Sequence, residues 1–472
     1  VCNGTPTAAI NFSSPTTGPT GALTFQWTNS APSIGLAANG TGNIPSFTAV
    51  NTGVSPVTAI ITVTAVYTNA GITCTGNSQS FTIVVNPTPT VNPVANQVLC
   101  NGSNTAAVNF TGSVPGTIYN WTNNNTSIGL AAAGAGNIAS FVATNATNVA
   151  QTATITVTPN FSNTVTCAGT PITFTITVNP IPTVNPVANQ TVCAGTTVTQ
   201  AFTGTVAGTV YSWTNSNTAI GLAASGTGNL NFVSTNATGA PLTGTITVTP
   251  SYTNAGGTCT GTPTTFTITV NPIPTVNAVS NQVVCNNTAT AAVNFTGAVA
   301  GTVYSWTNNN TSIGLAAAGT GNIASFTATN ATATVQTATI TVTPTYTNGG
   351  TTCTGTAITF TITVNPTPSV NVIANQTVCN GTSTTAVTIT GPVAGTVYSW
   401  TNNNTNIGLA ASGTATVPSF TAINTGSTPQ TATITVTSSF TNGGITCTGG
   451  STTFTITVNP TATVNQPAGQ VL

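Results

Sequence analysis

Cysteine is the one residue type in this sequence whose side chain offers ready chemistry at neutral pH. The ten cysteines form five widely spaced pairs: Cys2 and Cys74, Cys100 and Cys167, Cys193 and Cys259, Cys285 and Cys353, and Cys379 and Cys447. Zinc sites use clustered cysteines, often as C-x-x-C, and no such pair occurs here. The pattern indicates structural disulfides of an exported protein and argues against metal binding or catalysis.

The remaining composition excludes whole classes of function, because the sequence has no Lys, Arg, Asp, Glu or His. Acid–base catalysis needs a proton-exchanging side chain, and a Ser or Cys nucleophile needs a neighbouring base. Calcium sites rely on carboxylates, and nucleic-acid binding relies on Lys and Arg. We therefore expect no enzyme activity, no cofactor, no metal and no nucleic-acid partner. No apolar run approaches the roughly 18 residues of a membrane span, so none is predicted.

Five copies of one unit account for nearly the whole sequence. The string VNP recurs with its asparagine at Asn86, Asn179, Asn271, Asn365 and Asn459, and one tryptophan falls in each interval. A unit of about 93 residues can bury its own core. The expected boundaries are 1–86 for repeat 1, which lacks its lead-in strand, 87–179 for repeat 2, 180–271 for repeat 3, 272–365 for repeat 4, 366–459 for repeat 5, and 460–472 for the lead-in strand of a following repeat.

The junctions between repeats predict stiff connections. Each has two prolines one residue apart, as at Pro180 and Pro182, and proline restricts both itself and the preceding residue. The array is expected to behave as an extended rod. Residues 461–472 match the run before Cys100, which leaves two explanations open. Either the sequence is a segment of a longer array, or the lead-in strand of one copy completes repeat 1 of the next copy and joins subunits into a polymer.

Apolar residues alternate with threonine in the best-marked segments. Phe266, Ile268 and Val270 alternate with Thr267 and Thr269, a pattern typical of strands with one buried face. In repeat 4 the strands are expected at TVNAVSNQVV (275–284), AAVNF, TVYSW, IASFTAT, QTATITVTP and TFTITV. Several short strands per repeat predict an all-β protein, a tandem array of five immunoglobulin-like β-sandwich domains. The tryptophans are predicted to lie in the five cores, with sugar stacking as the alternative: Trp27, Trp121, Trp213, Trp306 and Trp400.

The sequence also resembles a known family. The strings VCNGTST, YSWTNNNTNIGLAASG and ITCTGGSTTFTITVNP of repeat 5 are similar to polycystic-kidney-disease-like (PKD-like) repeats of giant Bacteroidota surface proteins. The resemblance covers all five repeats and implies spacer and display modules, exported by type IX secretion and associated with gliding or adhesion. In PKD-like domains an acidic turn usually follows the tryptophan, and this sequence has TNNN there. No functional residue is carried over.

The resemblance also bears on how the cysteines pair. In a PKD-like sandwich Cys285 would lie near the first turn, and Cys353 in the loop before the last strand, about 25 Å away. A disulfide needs Cα atoms within about 7 Å. Pairing within each repeat is the simplest expectation, but this topology favours bonds between neighbouring repeats: Cys2–Cys167, Cys100–Cys259, Cys193–Cys353 and Cys285–Cys447. Cys74 and Cys379 would then pair with repeats outside the sequence.

A structural role explains these features together. The expected function is a stiff, repetitive stalk or filament of a bacterial surface adhesin, located outside the cell. Its expected partners are neighbouring copies of the same chain or further repeats, because a neutral surface of Thr, Asn and Ser carries no charge repulsion. A carbohydrate-binding array is one alternative and would need exposed aromatic residues. An ice-binding protein with rows of threonine is the other, although sheet twist disfavours a flat threonine lattice.

Overall fold

The structure is a computed structural model that describes residues 1–18 and 20–469. Five long strands, one in each expected repeat, form the centres of its sheets. Each has 13 residues and alternates buried apolar positions with threonines, as at Ala338, Ile340 and Val342. These central strands are β3 (Val57–Asn69), β9 (Gln151–Asn163), β17 (Leu242–Asn254), β23 (Gln336–Asn348) and β31 (Gln430–Asn442).

Two antiparallel strands flank each central strand. The tryptophan strands lie on one side: β1 (Ala22–Asn29), β7 (Ile118–Asn123), β14 (Val210–Asn215), β21 (Val303–Asn308) and β28 (Val397–Asn402). The closing strands lie on the other: β5 (Gln79–Val85), β11 (Ile172–Asn179), β19 (Thr264–Asn271), β25 (Ile358–Asn365) and β33 (Thr452–Asn459). In repeat 4, Trp306 pairs with Val342 and Phe360 with Ile340, so that both aromatic rings share the buried face.

Shorter strands complete each main sheet. Edge strands pair with the tryptophan strands: β2 (Asn39–Thr41), β8 (Ala133–Ala135), β15 (Ser225–Thr227), β22 (Ala318–Thr320) and β29 (Ser412–Thr414). First strands run parallel to the closing strands of repeats 2–5: β6 (Gln97–Cys100), β12 (Gln190–Cys193), β20 (Gln282–Cys285) and β26 (Gln376–Cys379). Hairpin strands fold back onto the central strands: β4 (Ile72–Thr75), β10 (Val165–Ala168), β18 (Gly257–Thr260), β24 (Thr351–Thr354) and β32 (Ile445–Thr448).

A second, sparser layer covers the apolar face of each main sheet. In repeat 3 it is the pair β13 (Thr197–Gln200) and β16 (Leu230–Val233), and in repeat 5 the pair β27 (Val387–Thr388) and β30 (Thr416–Val417). Elsewhere isolated bridges such as Val293 to Ile323 take its place. Five separate apolar cores lie between the layers, one in each expected repeat. The protein is all-β, an array of immunoglobulin-like sandwiches.

The recurring IGLAA segment is a core-packing turn. Its isoleucine ends a short 3-10 helix: Pro32–Ile34, Thr126–Ile128, Thr218–Ile220, Thr311–Ile313 and Thr405–Ile407. Ile313 is fully buried and Leu315 is 8% exposed, so both side chains enter the core. Gly314 between them has φ of +93°, and a Cβ there would lie 2.8 Å from the Thr327 carbonyl oxygen. Glycine is therefore required at this turn.

Some strands expected from the sequence are shorter than predicted. In repeat 4 the run 275–284 was expected to be one strand, and only Gln282–Cys285 is. The segments AAVNF and IASFTAT meet at one bridge, between Val293 and Ile323, and a second bridge joins Ala289 to Thr327. The reason is side-chain competition, because Asn322 Oδ1 accepts a hydrogen bond from the Phe295 backbone N–H at 2.9 Å, and Thr290 Oγ1 accepts one from the Phe326 N–H.

The tail differs from the expectation as well. Residues 460–469 belong to no strand, although a lead-in strand was expected over 460–472, and residues 470–472 lie outside the described residues. The structure describes no helix long and apolar enough to cross a membrane within residues 1–18 and 20–469.

Candidate functional site

The joints between successive repeats bring together most of the residues singled out in the sequence. In repeat 2, the parallel pairing of β6 with β11 places Cys100 beside Asn179, the last residue of the closing strand. The chain enters repeat 3 directly after Asn179. The same pairing sets Cys193 beside Asn271 and Cys285 beside Asn365. The first cysteine of a repeat therefore lies where its chain leaves for the next repeat.

The second cysteine lies on a hairpin at the opposite end of its repeat. Cys353 is on β24, paired with Tyr346, rather than in the loop expected from the sequence. The turn between β23 and β24 has positive φ at Gly349 and Gly350, the geometry of the two-residue hairpin that matches strand twist. The eight-residue strand β25 follows and separates this end from the exit at Asn365 by roughly 25 Å.

Disulfides therefore close across the joints and not within repeats. The structure contains four: Cys2–Cys167, Cys100–Cys259, Cys193–Cys353 and Cys285–Cys447. Their Cα–Cα distances are 5.5 to 5.6 Å, within the usual disulfide range. These are the four pairs that the sequence favoured. Cys74 and Cys379 are exposed, and neither is bonded to another described residue.

An asparagine pair closes each joint beside the disulfide. Asn271 Nδ2 donates to the carbonyl oxygens of Asn348 at 3.0 Å and Thr351 at 3.3 Å, and Asn348 Nδ2 donates back to Asn271 Oδ1 at 2.9 Å. At the other joints the same contacts are made by Asn86, Asn179 and Asn365. These four asparagines are completely buried. Buried amides satisfied on both sides fix the orientation of the two repeats.

The asparagine of VNP served in the sequence only as a marker of the repeat period. Its function at the joint was missed, because the partner lies about 77 residues further along the chain. The available signal was its repetition directly before each proline-containing junction. A polar residue held at such a position in every copy is a candidate for a contact between neighbours.

The five tryptophans lie in the cores, under the edge strands. They are between 2% and 8% exposed: Trp27, Trp121, Trp213, Trp306 and Trp400. Each pairs across the ladder with a glycine, as Trp306 does with Gly319. A Cβ on Gly319 would lie 2.3 Å from Trp306 Cζ2, so the indole ring occupies the place of the missing side chain. The ring faces are covered by protein and not offered to a sugar.

The only side chains in this sequence that can titrate are phenols and thiols. Burial raises the pKa of Tyr119 and of Tyr211 above the ordinary value near 10. For Tyr211 a hydrogen bond with Thr209 opposes the effect. Within residues 1–18 and 20–469, no three potential ligand side chains come close enough together to hold a metal ion. At each joint a disulfide and the hydrogen bonds of an asparagine pair hold the two repeats together.

Solved structures that match this chain include arrays of immunoglobulin and cadherin domains. Immunoglobulin domains 1–5 of Sidekick-1 share 12% identity over 98% of this chain and 96% of that one, with a TM-score of 0.24. The human desmocollin-1 ectodomain shares 10% identity over 98% and 100%, with a TM-score of 0.24. Cadherin domains 3–6 of protocadherin gamma B2 share 13% identity over 79% and 100%, with a TM-score of 0.26. At such scores nothing further follows from these likenesses.

Comparison of the sequence with family models shows which family the chain belongs to. No protein with a curated description matches it. The family model of the PKD-like domain matches residues 97–182, 190–274 and 280–368, which together make up more than half of the chain. These matches run from the first strand of repeats 2, 3 and 4 into the junction that follows each of them. The chain belongs to the PKD-like domain family.

Proposed function

We propose that this chain is a stiff, repetitive stalk or filament of a bacterial surface adhesin. The observation that carries the proposal is the joint, which recurs four times with the same disulfide and the same asparagine pair. A flexible tether would have long Gly- and Ser-rich linkers, whereas here two bonded contacts hold each pair of neighbours. Holding neighbours at a fixed angle is a property that a stalk requires.

The proposal includes the division into repeats at 1–86, 87–179, 180–271, 272–365 and 366–459, each with its own core. It also includes the location. Disulfides persist in oxidising surroundings, which supports a protein outside the cytoplasm. The resemblance to giant Bacteroidota proteins supports export by type IX secretion and a place on the surface of gliding or adhering cells. Neighbouring copies or further repeats are the proposed partners.

Carbohydrate binding has less support. A sugar site normally presents an aromatic face to solvent, and the five tryptophans lie in the cores. Rows of threonine are present, but many of their hydroxyl groups bond to each other across strands, as do those of Thr337 and Thr363 at 3.1 Å. Such pairs stiffen the sheet and leave fewer hydroxyls free for ice or sugar.

Imaging and scattering test the proposal together. Electron cryotomography of the producing cells, with an antibody against the chain, is expected to label thin beaded filaments at the cell surface. Small-angle X-ray scattering of the purified oxidised chain is expected to give an elongated particle, whose flexibility rises when the disulfides are reduced. Label confined to the cytoplasm, or a compact particle in both redox states, would contradict the stalk function.

A further inference from the structure

The spacing of the cysteines is constant across the joints and variable within the repeats. From the second cysteine of one repeat to the first cysteine of the next there are always 26 residues, as from Cys167 to Cys193 and from Cys259 to Cys285. Between the two cysteines of one repeat the spacing varies from 66 to 72 residues. The segment that crosses a joint therefore has a fixed length, whereas the segment that forms the body of a repeat does not.

The disulfides connect the 26-residue segments into two covalent routes along the array. Each route alternates between a backbone segment and a disulfide. The first route passes through Cys2, Cys167, Cys193 and Cys353, and the second route passes through Cys100, Cys259, Cys285 and Cys447. At each joint one route crosses along the backbone and the other crosses through sulfur, and the two routes exchange these roles at the next joint.

The body of each repeat lies on neither route. In repeat 3 the first route contains β12, which ends at Cys193, and the second route contains β19, which follows Cys259. Residues 194–258 hold the tryptophan strand, the central strand and the second layer, and they lead back from the exit of the repeat to its entrance. When extended, this loop would span more than about 200 Å, whereas the eight-residue strand β19 is only about 25 Å long. A pull on the routes therefore does not draw the loop taut.

The two routes lie side by side within each repeat. In repeat 3, β12 and β19 pair in parallel, from Gln190 beside Ile268 to Cys193 beside Asn271. Each of these strands is connected covalently to the preceding repeat at its start and to the following repeat at its end. A pull along the array therefore moves both strands in the same direction. Without the disulfides the same pull would act only on the start of β12 and the end of β19, and it would slide the two strands past each other.

The routes have little length in reserve. Of the 26 residues from Cys259 to Cys285, eight are in β19 and four are in β20, and strands are already extended. Pro272 and Pro274 restrict the backbone that joins these two strands. Even when fully extended, 26 residues reach no further than about 90 Å.

We propose that the array bears pulling force at a nearly fixed length, because two covalent routes carry the load side by side and bypass the bodies of the repeats. The inference rests on the proposed function and adds a mechanical property to it. A stalk of separately linked domains lengthens several-fold when its domains unfold one after another. Here the unfolding of a repeat body releases no length into either route, and the loss of one disulfide leaves the other route intact.

Stretching of single molecules in optical tweezers tests the inference. The parent chain carries Cys74→Ser and Cys379→Ser, so that only the four joint disulfides remain, and it is held by peptide tags at its two ends. After reduction it is expected to lengthen in five steps of roughly 300 Å, one for each repeat, up to about 1,600 Å.

The oxidised parent is expected to reach its limit at about 400 Å, a quarter of the reduced value. The shortest covalent connection between its ends contains about 120 residues and three disulfides. This connection includes one repeat body, because the two tags are attached to different routes. The other bodies contribute nothing to the limit.

Removal of disulfides tests whether the routes act side by side. Cys193→Ser with Cys353→Ser interrupts the first route and is expected to leave the limit of the oxidised chain unchanged, because the second route still connects the same repeats. The matched variant also carries Cys100→Ser and Cys259→Ser. Its limit is expected to increase by about 25 residues, or roughly 85 Å, because both routes are then interrupted.

These limits depend on covalent connections, so they can be measured even where a variant is less stable, once peptide mapping has checked its remaining disulfides. Lengthening on the loss of the Cys193–Cys353 bond alone, or steps of a whole repeat at several repeats of the oxidised parent, would overturn the inference. If a chain with such steps is elongated in small-angle scattering, the stalk function stands while the two load-bearing routes are rejected.

Discussion

The disulfide between Cys285 and Cys447 is expected to stabilise both repeats that it joins. It spans 162 residues of sequence, but the folded joint closes a shorter loop. Cys285 lies beside Asn365 in the ladder, so repeat 5 unfolds as a closed loop of about 80 residues, from Asn365 to Cys447, while repeat 4 stays folded. A loop of this length corresponds to about 4.5 kcal/mol of lost chain entropy in the unfolded state. Replacing both cysteines with serine is therefore expected to lower the free energy of unfolding of repeat 5 by about 3 to 5 kcal/mol.

Amide hydrogen exchange in guanidinium measures the free energy of unfolding of each repeat separately, when the exchange is followed by mass spectrometry of peptic peptides. Peptides of β31 and β33 report on repeat 5, and peptides of β17 and β19 provide a reference that should not change. The double variant Cys74→Ser, Cys379→Ser is the control, because it removes two sulfur atoms but no disulfide within the chain. Measured on monomers, it is expected to stay within about 0.5 kcal/mol of the parent. Equal loss of protection in both double variants would refute the reasoning.

Three further predictions concern the cores and the composition. Gly319→Ala is expected to destabilise repeat 4 by roughly 2 kcal/mol in denaturant titration, because its Cβ would overlap the Trp306 ring, whereas Gly450→Ala, at an open position, should have little effect. The free energy of unfolding should not change between about pH 4 and 8, because no side chain of this sequence has an ordinary pKa in that range. It should fall above about pH 10 in pH-dependent melting. Burial raises the pKa of Tyr119 and Tyr211 in the folded chain, so the tyrosines ionise more readily in the unfolded chain and high pH favours unfolding. Trypsin should leave the reduced, urea-unfolded chain intact on a gel, because no Lys or Arg is present.

The main sheets could be predicted from the sequence, because alternation of apolar residues with threonine is a local signal. Ile340 and Val342 mark a buried strand face without reference to the rest of the chain. The favoured cysteine pairing came from the resemblance to PKD-like sandwiches, which implies that the two cysteines of a repeat lie at opposite ends of the sandwich, and the eight-residue strand β25 does keep them apart.

Features that depend on a distant partner were harder to predict. The hydrogen bonds of Asn271 join residues about 77 positions apart, and no local pattern specifies them. The weak second layer was predicted as full strands, because β propensity does not reveal that Asn322 replaces a ladder contact with its side chain.

The overlap of the disulfide-closed loops has a consequence for damage by proteases. Each covalent loop begins before the preceding one ends, so every peptide bond between Cys2 and Cys447 lies inside at least one of them. A single nick anywhere in that span leaves both fragments attached to each other through sulfur. Bonds closed within repeats would have left each junction as a place where one cut severs the molecule. A chain that is cut once within this span can in this way lose backbone continuity and still transmit tension through its disulfides.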